Sequence, residues 1–571
     1  MTQATESAAL SALEHIKADS RFLRGTIARG LADPTTGSIS EPDTKLLKFH
    51  GSYQQDNRDV RDERRRQKLE PDYGFMVRVR LPGGVLTPQQ WLALDDLASR
   101  YTKGGLRITT RQTFQFHEIR KENLRNMIGG INAAGLSTLA ACGDDVRNVI
   151  CSVNPQLSSS HAEIYDWAQK IMEHVKPHTT AYQELWIDRR QETSDGAGDE
   201  EPLLGPAYLP RKFKFGIAIP PYNDIDVFAQ DFGLIAILDE NDQLAGFNLA
   251  PGGSMGATAG DPKTYPSLAD LIGFVTPDHL LETCWHAVAV QRDFGDRSER
   301  KHARLKYTID DRGLQWFHDE LQSRLSFKIE PPRPYHFEHN GDRYGWIEGN
   351  DGRWHLTLQI PSGRIFDVAD HARQTGMREI ARIHQGEIRM TCDQNLILAN
   401  VAPESRAAID ALVSQYGLDD YRRARSALRL HALACVGLPT CGLAMAESER
   451  YLPEILDKLE VLLDRHGLLD EPIHFRLSGC PNGCSRPYMG EIGLVGRAIG
   501  KYDLRIGADH VGERLNTLCR ENVDEAEILS VLDDVFGRFA QERNKDEHFG
   551  DYVVRAGIVI AQKRRPTIRY R

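Results

Sequence analysis

Strand and helix signals that recur in the same order in both halves of the chain predict a duplicated protein of mixed α and β structure. Phe75, Val77, Val79 and Leu81 alternate with Met76, Arg78 and Arg80, the period-two pattern of a strand. Pro82, Gly83 and Gly84 end that strand, and Thr87 then serves as the N-cap of a helix. Pro88 at the first helical position and Gln90 completing a capping box mark the start, and Trp91, Leu92, Leu94, Leu97 and Ala98 supply the apolar face. Arg107 to His117 reads as a further strand with Arg107, Thr109, Arg111, Thr113, Gln115 and His117 on one face and Ile108, Thr110, Gln112, Phe114 and Phe116 on the other. The first face holds two fixed cations and no carboxylate, a surface suited to a polyanion.

The same order returns later. A strand at 355–360 is followed by Pro361, Ser362 and Gly363, a helical stretch, and then a segment in which Arg389, Thr391 and Gln394 repeat Arg107, Thr109 and Gln112 in register. Asp393 replaces Arg111 and Ile397 replaces Gln115, so the second anion face is weaker. Lys212-Phe213-Lys214 with Pro220 parallels His474-Phe475-Arg476 with Pro481, and Asn148 to Cys151 parallels Leu433 to Cys435. The chain therefore reads as two copies of a two-module unit, over about 75–330 and 350–570.

The 571 residues suggest about three or four domains, and 40% apolar residues are enough for several cores. The formal charge of −10 argues against a general nucleic-acid binder. The first twenty residues lack a basic segment followed by an apolar one, which argues against a secretory signal. No apolar run nears the ~18 residues that span a bilayer; 233–238 and 556–561 read as buried strands instead. Residues 1–70 are charge-rich, and the mixed run from Asp56 to Arg66 reads as a solvated helix or a docking arm. The acidic stretch from Glu192 to Glu201 reads as a surface loop. Nine cysteines are too few for a disulfide scaffold, which points to a reducing, cytoplasmic setting where clustered cysteines bind metal or do chemistry.

Four cysteines cluster. Cys435 and Cys441 flank five residues that include Gly437 and Pro439, and Cys480 and Cys484 flank Pro481, Asn482 and Gly483. Such turns converge thiolates and aim backbone N–H groups at sulfur, as an iron–sulfur site requires. Structural zinc, for which five intervening residues fit poorly, redox dithiols without a Cys-x-x-Cys, and unrelated core thiols are the competing readings. Cys284, Cys392 and Cys519 read as small buried hydrophobes.

With these motifs the chain resembles the sulfite and nitrite reductase family that carries sirohaem and a four-iron cluster, over nearly its whole length from Phe22 to Gly557. The resemblance implies an α/β fold with pseudo-twofold symmetry: ferredoxin-like half-domains at 75–140 and 342–420, a sirohaem and substrate domain at 141–341, a cluster domain at 421–571, and an N-terminal arm at 1–74 for partner docking. It implies that Cys435, Cys441, Cys480 and Cys484 ligate a [4Fe–4S] cluster and that Cys484 is also the proximal sirohaem ligand. It assigns sirohaem carboxylates to Arg107, Thr109, Arg111, Gln115 and His117, with Arg300, Lys301, Arg304 and Lys306 as possible additions that on their own read as a solvated basic face. It assigns substrate to Arg78, Arg147, Lys212 and Lys214. The implied reaction is six-electron reduction of sulfite to sulfide. The related nitrite branch typically has Asn at the position of Lys214, so Lys214 favours sulfite. No Gly-x-Gly-x-x-Gly is present, so NADPH electrons would come through a flavoprotein (alpha) subunit, with ferredoxin as the alternative donor.

Overall fold

The computed structural model describes residues 9–103, 105–153, 160–187, 200–562 and Arg565. The N-terminal eight residues and most of the acidic stretch, Glu192 to Asp199, lie outside the described residues, whereas Glu201 is buried and accepts from the amides of His178 and Thr179.

Four five-stranded sheets form two matched pairs. In the first half-domain, strands Ser52–Asp56, Tyr73–Arg78, Phe114–Ile119 and Leu106–Ile108 pair antiparallel in that spatial order. In the second, Gly345–Glu348, Trp354–Leu358, Leu396–Val401 and Glu387–Met390 repeat it. Each sheet is completed by a strand of the other half: Arg364–Ile365 joins the first and Val85–Leu86 the second. The larger modules also match. Strands Ile150–Cys151, Phe215–Ala218 and Phe232–Leu238 run parallel, and Leu244–Pro251 and Gly273–Val275 return antiparallel. Ala432–Ala434, Phe475–Ser478, Ile492–Ala498, Lys501–Ile506 and Thr517–Val523 do the same.

Local chemistry explains the elements. The Thr87 hydroxyl accepts from the Gln90 amide and the Gln90 side chain accepts from the Thr87 amide, opening helix Pro88–Tyr101 as the capping box predicts. Its Trp91 is fully buried and meets Phe114 edge-on at 5.4 Å.

Four readings are corrected. Arg107 to His117 is not one strand but a hairpin, turning at Thr109–Thr113, where the Thr109 amide donates to the Thr113 carbonyl. Alternation cannot distinguish a straight strand from a tight hairpin. Second, the module repeat is offset from the sequence parallel. Phe215 pairs with Phe232 as Phe475 pairs with Ile492, and Asp226 and Arg486 both precede a 3₁₀ turn with φ of 50° and 56°. Lys214 therefore corresponds to His474, Asp224 to Cys484, Pro220 to Cys480 and Asp231 to Glu491; the strand pairing of Ile150 and Leu433 makes Ser152 the counterpart of Cys435. Third, the N-terminal segment from residue 9 is no free arm. Leu23, Ile27, Leu47 and Phe49 are buried in the core, Lys17 donates to the Leu209 carbonyl, and Ser52–Asp56 is a sheet strand. Helix Arg61–Arg66, without a buried residue, is solvated. Fourth, 233–238 lies in a strand, but 556–561 is irregular chain after helix Phe549–Arg555, with Ile560 exposed.

The two modules meet at a buried ion cluster. Asp226 accepts from Arg476 at 2.5 Å and from Arg486, and Arg486 also reaches Asp393 at 3.1 Å, the Thr110 carbonyl at 3.2 Å and the Cys392 carbonyl at 3.1 Å. One guanidinium thus joins both hairpin turns. Removing one partner of a buried ion pair costs about 3–5 kcal/mol, and removing an exposed N-cap about 1 kcal/mol. Asp226→Ala should therefore lower the thermal unfolding midpoint several times more than Thr87→Ala; equal shifts would show that the modules are not held at this cluster.

Candidate functional site

Directly opposed residues of antiparallel strands share a face. Arg78 lies opposite Gln115, Gln115 opposite Arg107, and Arg107 opposite Arg364. Three cations and an amide thus cross the first sheet in one row. The equivalent row of the second sheet is Thr357, Ile397, Arg389 and Val85, with one cation. The predicted weakening of the second anion face is therefore real.

Of the remaining predicted anion contacts, His117 faces this row, and Arg111 and Thr109 lie in the hairpin turn. His117 is buried, its imidazole held well below its ordinary pKa by burial and by Arg364, Arg107 and Arg78, so a neutral ring faces the cations. Among the described residues its Nε2 has no partner. Arg111, in the hairpin turn, donates to Gln230 at 2.7 Å and to the carbonyls of Asn148 and Phe215, while its buried Nε has no partner. Thr109 Oγ1 accepts from the Arg111 amide at 3.2 Å. Arg107 is already engaged by Glu449 at 2.7 Å, which also takes Arg364 at 2.6 Å. Arg364 comes from the exchanged strand, and only three-dimensional pairing reveals it.

A second group of cations faces the same region. Arg147 is held by the carbonyls of Ala141 at 3.1 Å and Gly143 at 3.2 Å. Its amide donates to the Phe213 carbonyl, which places it beside Lys212 and Lys214. Burial, then Arg211, Arg304, Lys214 and Arg147, hold the Lys212 ammonium well below its ordinary pKa. Burial, then Arg111 and Arg304, do the same to Lys214, with Asp231 opposing. Arg78 donates to Cys142 Sγ at 2.9 Å and lies in electrostatic range of Cys484. Cys142 and Arg211 are contributors that sequence reasoning missed; for Arg211 the signal was its place next to Lys212. The other suggested basic residues have structural partners. Arg300 pairs with Asp144, Arg304 with Asp231 at 2.7 Å, and Lys306 donates to the carbonyls of Ser254, Gly256 and Tyr265. They form no solvated face, though Lys301 is exposed.

The four clustered cysteines converge. Burial, then Cys484, pushes the Cys441 thiol up to about 11 and the Cys480 thiol up to about 12; Cys435 is raised by the same two causes. Thiols in mutual electrostatic range ionise together only when a cation takes up their charge. Backbone N–H groups are already aimed at sulfur: Gly479 donates to Cys435 at 3.3 Å, Leu443 and Ala444 to Cys441, and Asn482 to Cys480. Gly437 and Gly483, with φ of 63° and 62°, supply the left-handed turns within the two loops. The hairpin reaches this site directly, for Thr110 Oγ1 donates to the Cys484 carbonyl at 3.0 Å. The donor set fits an iron–sulfur cluster, and the unpartnered Arg111 Nε in the hairpin turn and His117 Nε2 at the cation row fit a polycarboxylate.

Comparison with known proteins finds relatives over nearly the whole chain. The nitrite and sulphite reductase 4Fe-4S domain model matches residues 166–329, and the nitrite/sulfite reductase ferredoxin-like half domain matches 67–134 and 347–416. The first match falls on the copy that carries Pro220 and Asp224 where the other has Cys480 and Cys484. The protein named sulfite reductase [NADPH] hemoprotein beta-component of Myxococcus xanthus is 56% identical over 96% of this chain and 97% of its own. That of Xylella fastidiosa is 55% identical over 98% of each. The solved structure of the Mycobacterium tuberculosis NirA protein superposes with a TM-score of 0.76 at 24% identity, over 96% of this chain and 97% of that one, and so shares the fold. Among the described residues no helix is long and apolar enough to cross a membrane.

The depressed lysines give a pH dependence with a definite sign. A bound dianion restores their pKa, so binding takes up protons and weakens as pH rises through the free-state values. Affinity for sulfate, a dianion across neutral pH, should fall by up to about tenfold per pH unit for each lysine that must be reprotonated. Calorimetry in buffers of different ionisation enthalpy measures the proton uptake. A pH-independent affinity without uptake would mean that neither ammonium meets the anion.

Proposed function

The chain belongs to the nitrite and sulfite reductase family, and on that premise we propose that it is the haemoprotein component of an NADPH-dependent sulfite reductase, reducing sulfite to hydrogen sulfide with six electrons. The observation that carries the reading is the junction itself: four convergent cysteines lie under a hairpin whose Arg111 belongs to a cation group with Arg147, Lys212 and Lys214.

Cys435, Cys441, Cys480 and Cys484 would hold a [4Fe–4S] cluster, Cys484 would also ligate sirohaem, and together these groups supply single-electron relay and an open iron position. Arg107, Thr109, Arg111, Gln115 and His117, with Arg364, would bind the sirohaem carboxylates. The chain's own groups do the rest. Arg147, fixed by two carbonyls, and Arg78, fixed by Cys142, orient the oxyanion without changing charge. Lys212 Nζ and Lys214 Nζ bind its oxygens as ammonium groups and give up protons as those oxygens leave, because burial and neighbouring cations lower their pKa once the anion's charge is gone. Each oxygen then leaves as water, and the ammonium is restored from solvent. The fixed cations offset charge as electrons arrive.

The electron donor in this reading is a flavoprotein partner, in the cytoplasm. Support for its docking place comes from the charged helix Arg61–Arg66. Arg58 donates to the Ala444 carbonyl at 2.6 Å, and Arg450 pairs with Asp59 at 2.9 Å, tethering the helix beside the Cys441 loop, where Leu443 is 71% exposed.

Two measurements test the proposal. Cys484→Ser should abolish the sirohaem and cluster absorbance together, and normal bands in the variant would remove the bridging role. The purified holoprotein should turn over sulfite with NADPH and the flavoprotein; turnover with reduced ferredoxin alone would reassign the donor.

A further inference from the structure

The second copy holds a group of side chains that the reductase reading does not use. His474, Glu491 and His510 are all buried, and one ligand atom from each lies within 4.8 Å of the other two. Both imidazoles present Nδ1 to the same oxygen, Glu491 Oε2, at 3.4 Å. That separation is long for a charge-assisted hydrogen bond. It matches the edge of a tetrahedron of ligands each about 2.0–2.1 Å from a zinc ion, about 3.3–3.4 Å.

The surroundings are built to hold these groups. Glu491 is fixed by the His474 amide on Oε2 at 3.0 Å and the Gly550 amide on Oε1 at 2.9 Å. A stack at 3.9 Å, 5° from parallel, places His548 on His510, and His431 meets His474 edge-on at 4.9 Å. His474 Nε2 is buried without a partner among the described residues. Among the described residues no arginine or lysine pairs with Glu491, whereas its counterpart Asp231 in the first copy is paired with Arg304. Duplication has thus given two related positions opposite chemistry: Lys214 with Asp231 and Arg304 around an anion, and His474 with Glu491 and no balancing fixed cation.

We propose that His474 Nδ1, His510 Nδ1 and Glu491 Oε2 bind a divalent transition-metal ion, zinc by geometry and ligand type, at a site separate from the redox centre. Two neutral imidazoles and one carboxylate are a borderline ligand set that suits zinc better than calcium or magnesium. The ion would tie strands Phe475–Ser478 and Ile492–Ala498 to the His510 loop and, through Glu491, to the start of helix Phe549–Arg555.

The test uses full-length holoprotein, its iron centres verified by absorbance, exposed to zinc and then desalted. One zinc per chain should remain in the wild type and fall at least tenfold in His510→Ala, with the iron bands unchanged. X-ray absorption at the zinc edge should show nitrogen and oxygen neighbours only, and zinc should raise the thermal midpoint of the wild type alone. If His510→Ala loses its iron bands, His510→Asn replaces it. Zinc retained equally by wild type and variant, absent from both, or surrounded by sulfur would overturn the proposal.

Discussion

Asp226 carries two guanidinium groups with almost no contact with water, and the remaining architecture is arranged around it. Burial alone would push its carboxyl up, but Arg476 and Arg486 outweigh that and hold it well below the usual range. Asp226 and Arg486 occupy matching positions of the two modules, so the pair closes across the pseudo-twofold relation. Arg486 in turn binds carbonyls in both hairpin turns. Such a cluster contributes less net stability than its Coulomb energy suggests. Its effect is positional: it fixes where the cysteine loop of one module meets the cationic turn of the other half.

The duplication explains why one junction became two different places. Where one copy has Cys435 and Cys484, the other has Ser152 and Asp224, joined by a hydrogen bond of 2.5 Å. The thiolate set and the cation set therefore come from different copies and complete each other only in the assembled chain. On the opposite side, Asp393 stands where Arg111 would be and is taken up by Arg486. A polyanion would find a carboxylate there.

Much of this was legible in the sequence because it was local. The Thr87 capping box, the strand before it, and the Gly and Pro residues between the cysteines each follow from a few neighbouring residues. The Arg111-to-Asp393 correspondence was also visible, since the hairpins repeat nearly residue for residue. What escaped had non-local causes. The Arg107–His117 pattern alternates equally well in a hairpin, and only the Thr109–Thr113 turn tells them apart. The Lys212-Phe213-Lys214 parallel chose the wrong phenylalanine, because Phe213 and Phe215 offer the same local pattern and strand pairing alone selects Phe215. Arg364 reaches the site from a distant segment and carried no motif.

The exchange of strands between the half-domains has a bearing on how the chain is made. Val85–Leu86 leaves the first sheet to join the second, and Arg364–Ile365 returns to close the first. During synthesis the first sheet therefore waits with an open edge until Ile365 has left the ribosome, while the Val85–Leu86 strand waits for Glu387–Met390. Neither half can reach its final sheet as a separate early unit, although domains commonly fold in order of emergence. A ribosome that stops between the halves leaves an unpaired strand edge exposed, the kind of surface that recruits other chains. The interlocking that ties the two half-domains together in the finished molecule leaves the nascent molecule with an open sheet edge until residue 365 has been made.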